Sequence, residues 1–263
     1  MERLSLSVAL ISLNEEDNIG RTLESIKDIA SEIVVTDSHS KDKTREIAKS
    51  YGATVFEEDW KGYVDQKNSA LDKCTMEYIL SLDCDEVVSS DLRRSIIRAV
   101  KDREADGFYI NRKTFYLGRF LEHTWQPEWR LRLVKRSSNP KWGGYDPHDS
   151  LSIKGKTKRI GGDLYHYSYK DVEDHYNRAL KYSKLVSESY SKMGRSSRIY
   201  NLIFNPIVAF MKNYFIKMGF LDGVRGMSVA VSEAFSTFLK YLYLWEMKNA
   251  KDIKPDNQSS HRL

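Results

Sequence analysis

The stretch Ile79-Leu80-Ser81-Leu82-Asp83-Cys84-Asp85-Glu86 decides the fold. An apolar run enters from the N-terminal side, as a buried strand does, and ends in three carboxylates within four positions. Unpaired carboxylates are too costly in a dry interior for buried sheet to continue through them. The stretch therefore reads as a central strand whose C-terminal end opens into a cleft, where open α/β sheets bind their ligands. Asp83 and Asp85 then stand at the mouth, and two hard oxygen donors suit Mg²⁺ or Mn²⁺ carrying a substrate diphosphate. From spacing alone, an acidic loop that only caps a helix starting near Asp91 is the plainer alternative.

Working outward, residues 4–13 are rich in Leu, Ile and Val and read as a buried first strand. Asn14-Glu15-Glu16-Asp17 ends it, and Ile19, Leu23 and Ile26 then recur at helical steps. Residues 32–37 read as a second strand ending on Asp37, and 43–51 as a short helix stopped by Gly52. A third strand over 54–57 and a helix over 64–71 precede the strand 78–82. This alternation predicts a parallel sheet with helices on both faces. Ser89 or Ser90 caps a helix running to about Arg103. Residues 107–110 and 130–134 read as strands on either side of an irregular aromatic segment, 115–128. Gly143-Gly144-Tyr145-Asp146-Pro147-His148-Asp149 reads as a turn-rich loop, with short strands following near Ile153 and Tyr165. From Asp171 the chain is mostly helical, and its polar end is expected to fray.

Composition excludes several classes. With 263 residues, 41% hydrophobic and 30% charged, the chain has room for a sizeable core. A net charge of +5 favours diphosphates or an anionic membrane face and does not by itself indicate nucleic acid. Cys74 and Cys84 are too few for a disulfide framework or zinc cluster and suit packing in a reducing cytoplasm. The N-terminus does not read as a signal peptide, and no run reaches the roughly 20 apolar residues that span a bilayer.

In a parallel sheet Asn14, Glu15, Asp37, Asp83 and Asp85 would converge at one edge. A carboxylate after an early strand can accept hydrogen bonds from a nucleotide base or ribose, although Asp37 could equally cap its own turn. Neither Gly-x-x-x-x-Gly-Lys-Ser/Thr nor Gly-x-Gly-x-x-Gly follows the first strand. The acidic Asn14–Asp17 loop would repel a diphosphate, which more plausibly meets a metal held by Asp85.

These segments resemble family 2 glycosyltransferases, inverting nucleotide-sugar-dependent enzymes of the GT-A fold. The resemblance rests on Ala9-Leu10-Ile11-Ser12-Leu13-Asn14-Glu15-Glu16, Ile33-Val34-Val35-Thr36-Asp37-Ser38, Gln66-Lys67-Asn68 and Leu82-Asp83-Cys84-Asp85-Glu86. Arg132-Leu133-Val134-Lys135, Pro147-His148-Asp149, residues 163–169 and Gly219-Phe220-Leu221-Asp222-Gly223 with Lys240-Tyr241 are similar to the bacterial lipopolysaccharide-core β-glucosyltransferase group. The resemblance implies that Asp37 binds uridine, that Asp83 lies near ribose or metal, and that Asp85 binds metal. It further implies a UDP-sugar donor and a lipopolysaccharide-core or other lipid-linked acceptor. Two positions depart from the pattern: His39 where relatives usually have Gly, and His148-Asp149 where they usually have His-Glu.

Inverting transfer needs a base for the acceptor hydroxyl. The candidates are Asp149 and Glu128, with Asp149 preferred for its place in the Gly/Pro-rich loop; it could instead hold His148 or cap a turn. Lys67 and Arg132 are candidates to assist the leaving diphosphate, and His166 to be a third metal ligand. Each of these three has a plainer use as a surface, sheet-edge or hydrogen-bonded structural residue. Trp125, Trp129, Trp142 and Tyr145 are expected on the acceptor side, as sugar-packing planes or as core aromatics.

The expected organisation is a catalytic region, 1–170, with a nucleotide-sugar half (1–105) and an acceptor half (106–170). A helical extension, 171–250, and a frayed tail, 251–263, follow. Residues 200–220 and 227–245 are too apolar for exposed helices yet too interrupted to span a membrane. They suit helices lying in a membrane surface, on the cytoplasmic face, or a packing or homo-oligomer surface. A sugar nucleotidyltransferase would want a glycine-rich basic loop where Asn14–Asp17 stands. A nucleotide-sugar-binding or membrane scaffold with a decayed site is the non-enzymatic alternative.

Overall fold

The computed structural model describes residues 4–145 and 148–249, without the side chains of Tyr145 and His148. The expected tail, 251–263, and the Asp146-Pro147 part of the turn-rich loop lie outside the described residues. The first half alternates as expected: β1 (Leu6–Ser12), α1 (Ile19–Ile26), β2 (Glu32–Asp37), α2 (Thr44–Ser50), β3 (Thr54–Glu57), α3 (Tyr63–Asp72) and β4 (Tyr78–Asp83). The four strands are parallel in the order β3-β2-β1-β4. Ser12 is level with Asp37, and Ile11 with Asp83, so the polar strand ends lie side by side.

Strands β1, β2 and β4 are largely apolar because both faces are covered, whereas β3 is a mostly exposed edge strand. Leu6, Val8 and Leu10 pack with Leu23 and Ile26 of α1 in one core. Ala9, Val34 and Ile79 face the opposite way, toward Leu71 and Trp142.

The sheet does not stop at the acidic stretch. It resumes as β5 (Glu86–Val88), with Glu86 fully buried. That burial is tolerated because Glu86 is paired: Arg132 Nη2 donates to it at 2.6 Å and the Asp83 backbone N–H at 3.0 Å. The helix α4 (Ser90–Asp102) follows, its first turn capped by Ser89 Oγ, which accepts from the Leu92 N–H.

Next come β6 (Gly107–Tyr116), β7 (Arg119–Phe120), β8 (Trp129–Lys135), β9 (Lys141–Tyr145), β10 (His148–Ser152) and β11 (Thr157–His166). Strand β6 is longer than expected, and β9–β10 form an antiparallel pair where a turn-rich loop was expected. Strand β10 ends one residue before Ile153 and β11 contains Tyr165, so both strands expected there are present, the second ten residues long. The full order is β3-β2-β1-β4-β8-β6-β11-β5. Gly162, at φ +90°, lies so close to α4 that a Cβ would meet the Leu92 backbone nitrogen at 2.2 Å.

The C-terminal region contains α5 (Val172–Lys192), α6 (Ile199–Met211) and α7 (Val224–Asn249). It is tied to the end of β6 and the segment that follows it. Asp222 accepts from the backbone N–H groups of Glu122, His123 and Thr124, and Trp125 Nε1 donates to Glu233. Tyr116 Oη lies 2.9 Å from Ser228 Oγ and 2.8 Å from His175 Nδ1. In contrast, α6 buries no residue, with Phe204 61% and Val208 62% exposed. Among the described residues no helix is long and apolar enough to cross a membrane.

Candidate active site

A cavity of about 950 Å³ opens at the C-terminal ends of β1 and β4, and residues of α5 and α7 complete its wall. It brings together Glu15, Lys67, Asp83, Asp85, Glu128, Asp149 and His166 from the sequence-derived set. Asn14, Asp37 and Arg132 do not line it.

Asp83 faces cations. Lys67 Nζ lies 3.0 Å from its Oδ1, and Arg132 Nη2 lies 2.7 Å from its Oδ2. Burial pushes the Asp83 carboxyl up, but the Lys67, Arg132 and Arg112 charges outweigh burial and hold it well below the usual carboxylate range. Lys67 also donates to Asp149 Oδ2 at 2.7 Å, so one buried ammonium bridges the β4 and β10 carboxylates. The Trp142 ring lies 4.4 Å from that ammonium. The next residue, Asn68, clamps β9: its amide donates to Trp142 O and accepts from Trp142 N–H. Because β10 pairs with β9, this clamp also sets the position of Asp149, which stands opposite Gly144.

Asp85 has a different partner. Strand β11 pairs with β5 so that His166 stands opposite Glu86, and Tyr167 N–H donates to Asp85 O at 2.9 Å. His166 Nε2 therefore lies 3.4 Å from Asp85 Oδ2. Burial raises the Asp85 pKa, and the His166 interaction more than reverses that. The other ring nitrogen of His166 is buried without a hydrogen-bond partner. Asp85 and His166 thus present an oxygen and a nitrogen side by side. Among the described residues no group of three or more His, Cys, Asp or Glu is arranged as a metal site. The pair still fits Mg²⁺ or Mn²⁺, because such ions take few protein ligands and complete their shell with waters and substrate phosphates. Asp83, the other expected metal ligand, has one oxygen beside Lys67 and the other beside Arg132.

A family model described as glycosyl transferase family 2 matches residues 7–161. The chain belongs to that family. LpsC of Rhizobium meliloti, described as a lipopolysaccharide core biosynthesis glycosyltransferase, is 29% identical over 98% of this chain and 99% of its own length. An uncharacterized glycosyltransferase of Rickettsia typhi is 30% identical, covering 96% and 91% of the two chains. Among solved structures, a mannosyltransferase from Pyrobaculum calidifontis in complex with GDP-Man and Mn²⁺ has TM-score 0.53 at 15% identity. That match covers 97% of this chain and 89% of the mannosyltransferase. TarS of S. aureus has TM-score 0.50 at 14% identity, covering 90% of this chain and 55% of TarS. The protein is a glycosyltransferase, and its fold is GT-A-like.

Several residues expected in the site have partners within the fold. Asp37 is fully buried, accepting from Ser12 Oγ at 2.7 Å, Ser40 N–H at 2.8 Å and Ser40 Oγ at 2.5 Å. Ser12 lines the cavity, and Asp37, bonded to it, braces the β2 turn. Asn14 pins its loop to the same turn, accepting from Lys41 N–H through its side chain and donating to Ser40 Oγ through its backbone. Arg132 is 3% exposed and supports Asp83 and Glu86 from behind. His39 adopts φ +60°, so the turn takes the left-handed conformation glycine supplies most easily.

Glu128 is gripped by Arg112 at 2.7 and 2.8 Å and by Arg130 at 2.7 Å. Burial raises its pKa, but these guanidinium groups bring it down to about 2, which makes it a poor proton acceptor. Glu15 is pushed up by burial, only partly offset by a hydrogen bond from Asn18. The three tryptophans do not cluster. Trp125 lines the cavity, Trp142 is buried under α3, and Trp129 lies beneath Arg159. The Tyr145 side chain is outside the described residues.

Sequence reasoning missed Arg112, which joins Glu128 to Glu86, and the edge-to-face pair Trp60 and Tyr63 at the cavity wall. It also missed Arg178, Lys181 and Lys217. The aromatic Trp60-x-x-Tyr63 spacing beside Gln66-Lys67-Asn68 was a usable signal; the cations of α5 and the turn before α7 carried none.

Proposed function

We propose that this glycosyltransferase moves a hexose, glucose favoured, from a UDP-sugar to a lipopolysaccharide-core or other lipid-linked glycan, with inversion and with Mg²⁺ or Mn²⁺. The observation that carries this reading is the pairing of two arrangements in one cavity: Asp85 beside His166, and Asp83 bridged through Lys67 to Asp149. The end-to-end similarity to LpsC supports the acceptor class, and the GDP-Man and Mn²⁺ named for the mannosyltransferase support a nucleotide sugar with a divalent metal.

In this reading Asp149 takes the acceptor hydroxyl proton as that oxygen attacks the anomeric carbon. Lys67 orients Asp149 and keeps Asp83 ionised, ready to accept hydrogen bonds from donor hydroxyls. Asp85 and His166 would hold the metal, which supplies charge neutralisation for the leaving diphosphate. Residues 1–170 form the catalytic region, 1–105 serving the donor and 106–170 the acceptor, with 171–250 as the extension. Incubating the protein with a panel of nucleotide sugars and a bacterial lipid fraction, then reading lipid mass, tests the reading. A metal-dependent gain of one hexose is expected, and no mass change with any donor would overturn it.

The extension seats the enzyme on an anionic membrane surface, on the cytoplasmic side. Ile203, Phe204, Ile207 and Val208 are each more than half exposed, and Lys212 and Lys217 follow within three turns. Apolar side chains with interspersed lysines match the interface of a negatively charged leaflet. Full-length protein should sediment with anionic vesicles and only weakly with neutral ones, and Ile203→Ser with Ile207→Ser should reduce this by about tenfold or more. Concentration-dependent dimerisation without vesicle binding would reassign the face to self-association.

A further inference from the structure

Within the cavity the basic residues from the sheet and α3 already have carboxylate partners. Lys67 is bonded to Asp83 and Asp149, Arg112 to Glu128, and Arg130 also to Glu128. Arg178 on α5 is bonded to Asp174. Two lining cations differ: among the described residues the ammonium groups of Lys181 and Lys217 have no hydrogen-bond or ion-pair partner. Both come from the helical extension, Lys181 from α5 and Lys217 from the turn before α7. The one lining carboxylate contributed by α7, Glu233, accepts from Trp125 Nε1.

Position along the chain gives these lysines a further meaning. Lys217 directly follows Phe215 and Ile216, which are 51% and 77% exposed. A cavity cation and the edge of the exposed apolar surface therefore meet within three residues. An amphiphile with its chains against that surface would bring its headgroup to the cavity at Lys217. A headgroup bearing phosphate or carboxylate would find in the cavity two lysines with no carboxylate partner among the described residues, and charge-assisted bonds to such a group are among the stronger polar contacts.

We propose that Lys181 and Lys217 form an anion subsite for a phosphate or carboxylate carried by the acceptor, separate from the donor's diphosphate position beside Asp85 and His166. This deepens the lipid-linked acceptor reading and rests on it. The subsite selects anionic acceptors over neutral ones and leaves donor affinity unchanged.

The shared chemistry, an oxyanion, could also come from the donor, so the test separates the two sources. Full-length protein is saturated with UDP and Mg²⁺, and inorganic phosphate is titrated in at constant ionic strength while its phosphorus NMR line width is followed. UDP affinity of the unaltered protein, measured by calorimetry, tests the donor reading independently. Phosphate should still bind the UDP-loaded protein, and Lys181→Gln with Lys217→Gln should weaken it about tenfold or more without changing UDP affinity. Lys181→Arg with Lys217→Arg should retain phosphate binding, which separates lost charge from a folding defect. If UDP excludes phosphate, or if the Gln variant loses UDP affinity in parallel, the lysines serve the donor diphosphate and the proposal fails. Phosphate binding equal in the Gln variant and the unaltered protein would also overturn it.

Discussion

At the sheet edge Lys67, Arg112 and Arg132 are bonded to carboxylates, whereas in the helical extension Lys181 and Lys217 have no such partner among the described residues. Apolar surface divides in the opposite sense. The β1, β2 and β4 strands bury almost every side chain, while α6 buries none. A buried charge costs several kcal/mol unless paired, so the edge is fixed before any ligand arrives. Lysines that keep contact with solvent carry less of that cost and can wait for a ligand to supply the opposite charge. On the proposed reading the sheet carries the chemistry and the helices capture the acceptor.

The sharpest way to break this contrast is Asp85→Asn. If the edge is a fixed chemical site, transfer should fall by about 10²–10³-fold, the scale for removing one preorganised electrostatic group. Metal-dependent UDP-sugar binding, read by calorimetry, should fall with it while the melting temperature stays close to that of the unaltered protein. Unchanged binding with Mg²⁺ or Mn²⁺ would remove Asp85 from the metal site.

The next largest effect is expected at Asp149. Asp149→Asn should keep donor binding and lose transfer by about 10²-fold. Glu128→Gln should behave differently, because it strips the buried Arg112 of its carboxylate fork and so lowers stability more than it changes the chemical step. Reversed outcomes, with Glu128→Gln folded but inactive and Asp149→Asn active, would exchange the two roles.

The same contrast explains what could be read in advance. Strands β1, β2 and β4 were legible because double-sided burial writes continuous apolar runs into the sequence, and their polar ends marked the edge that became the cavity. The return of the sheet at Glu86 was not legible. A lone carboxylate argues against burial until Arg132, 46 positions away, is known to face it. Asp37 was ambiguous for the same reason, since a strand-end carboxylate looks alike whether it faces a ligand or accepts from Ser12 and Ser40. Lys181 and Lys217 were invisible because a helical lysine shows its direction only once the helix is docked. The apolar character of 200–220 was plain, but whether neighbours covered it depended on how α6 packs.

The smallest expected effect lies at the joint between the two regions. His175 on α5 is 3% exposed, with Tyr116 of β6 as its ring-nitrogen partner. Burial pushes its pKa down from 6.5 to about 4, against a weaker upward pull from Asp174. Above pH 6.5 neither the folded nor the unfolded chain protonates this group appreciably. As pH falls toward 4 the unfolded chain takes the proton first, so folding stability declines through that window. Between pH 7 and pH 5 the decline due to His175 should be about 2 kcal/mol, read as a fall in the urea midpoint. Glu128 does not contribute there, because a carboxyl depressed from 4.5 to about 2 loses its stabilising effect only below that window. His175→Phe should lower stability at pH 7, since Tyr116 loses a partner, yet flatten the slope between pH 7 and pH 5. Equal slopes in the two proteins would mean that His175 can charge in place, and that the joint between sheet and helices admits water.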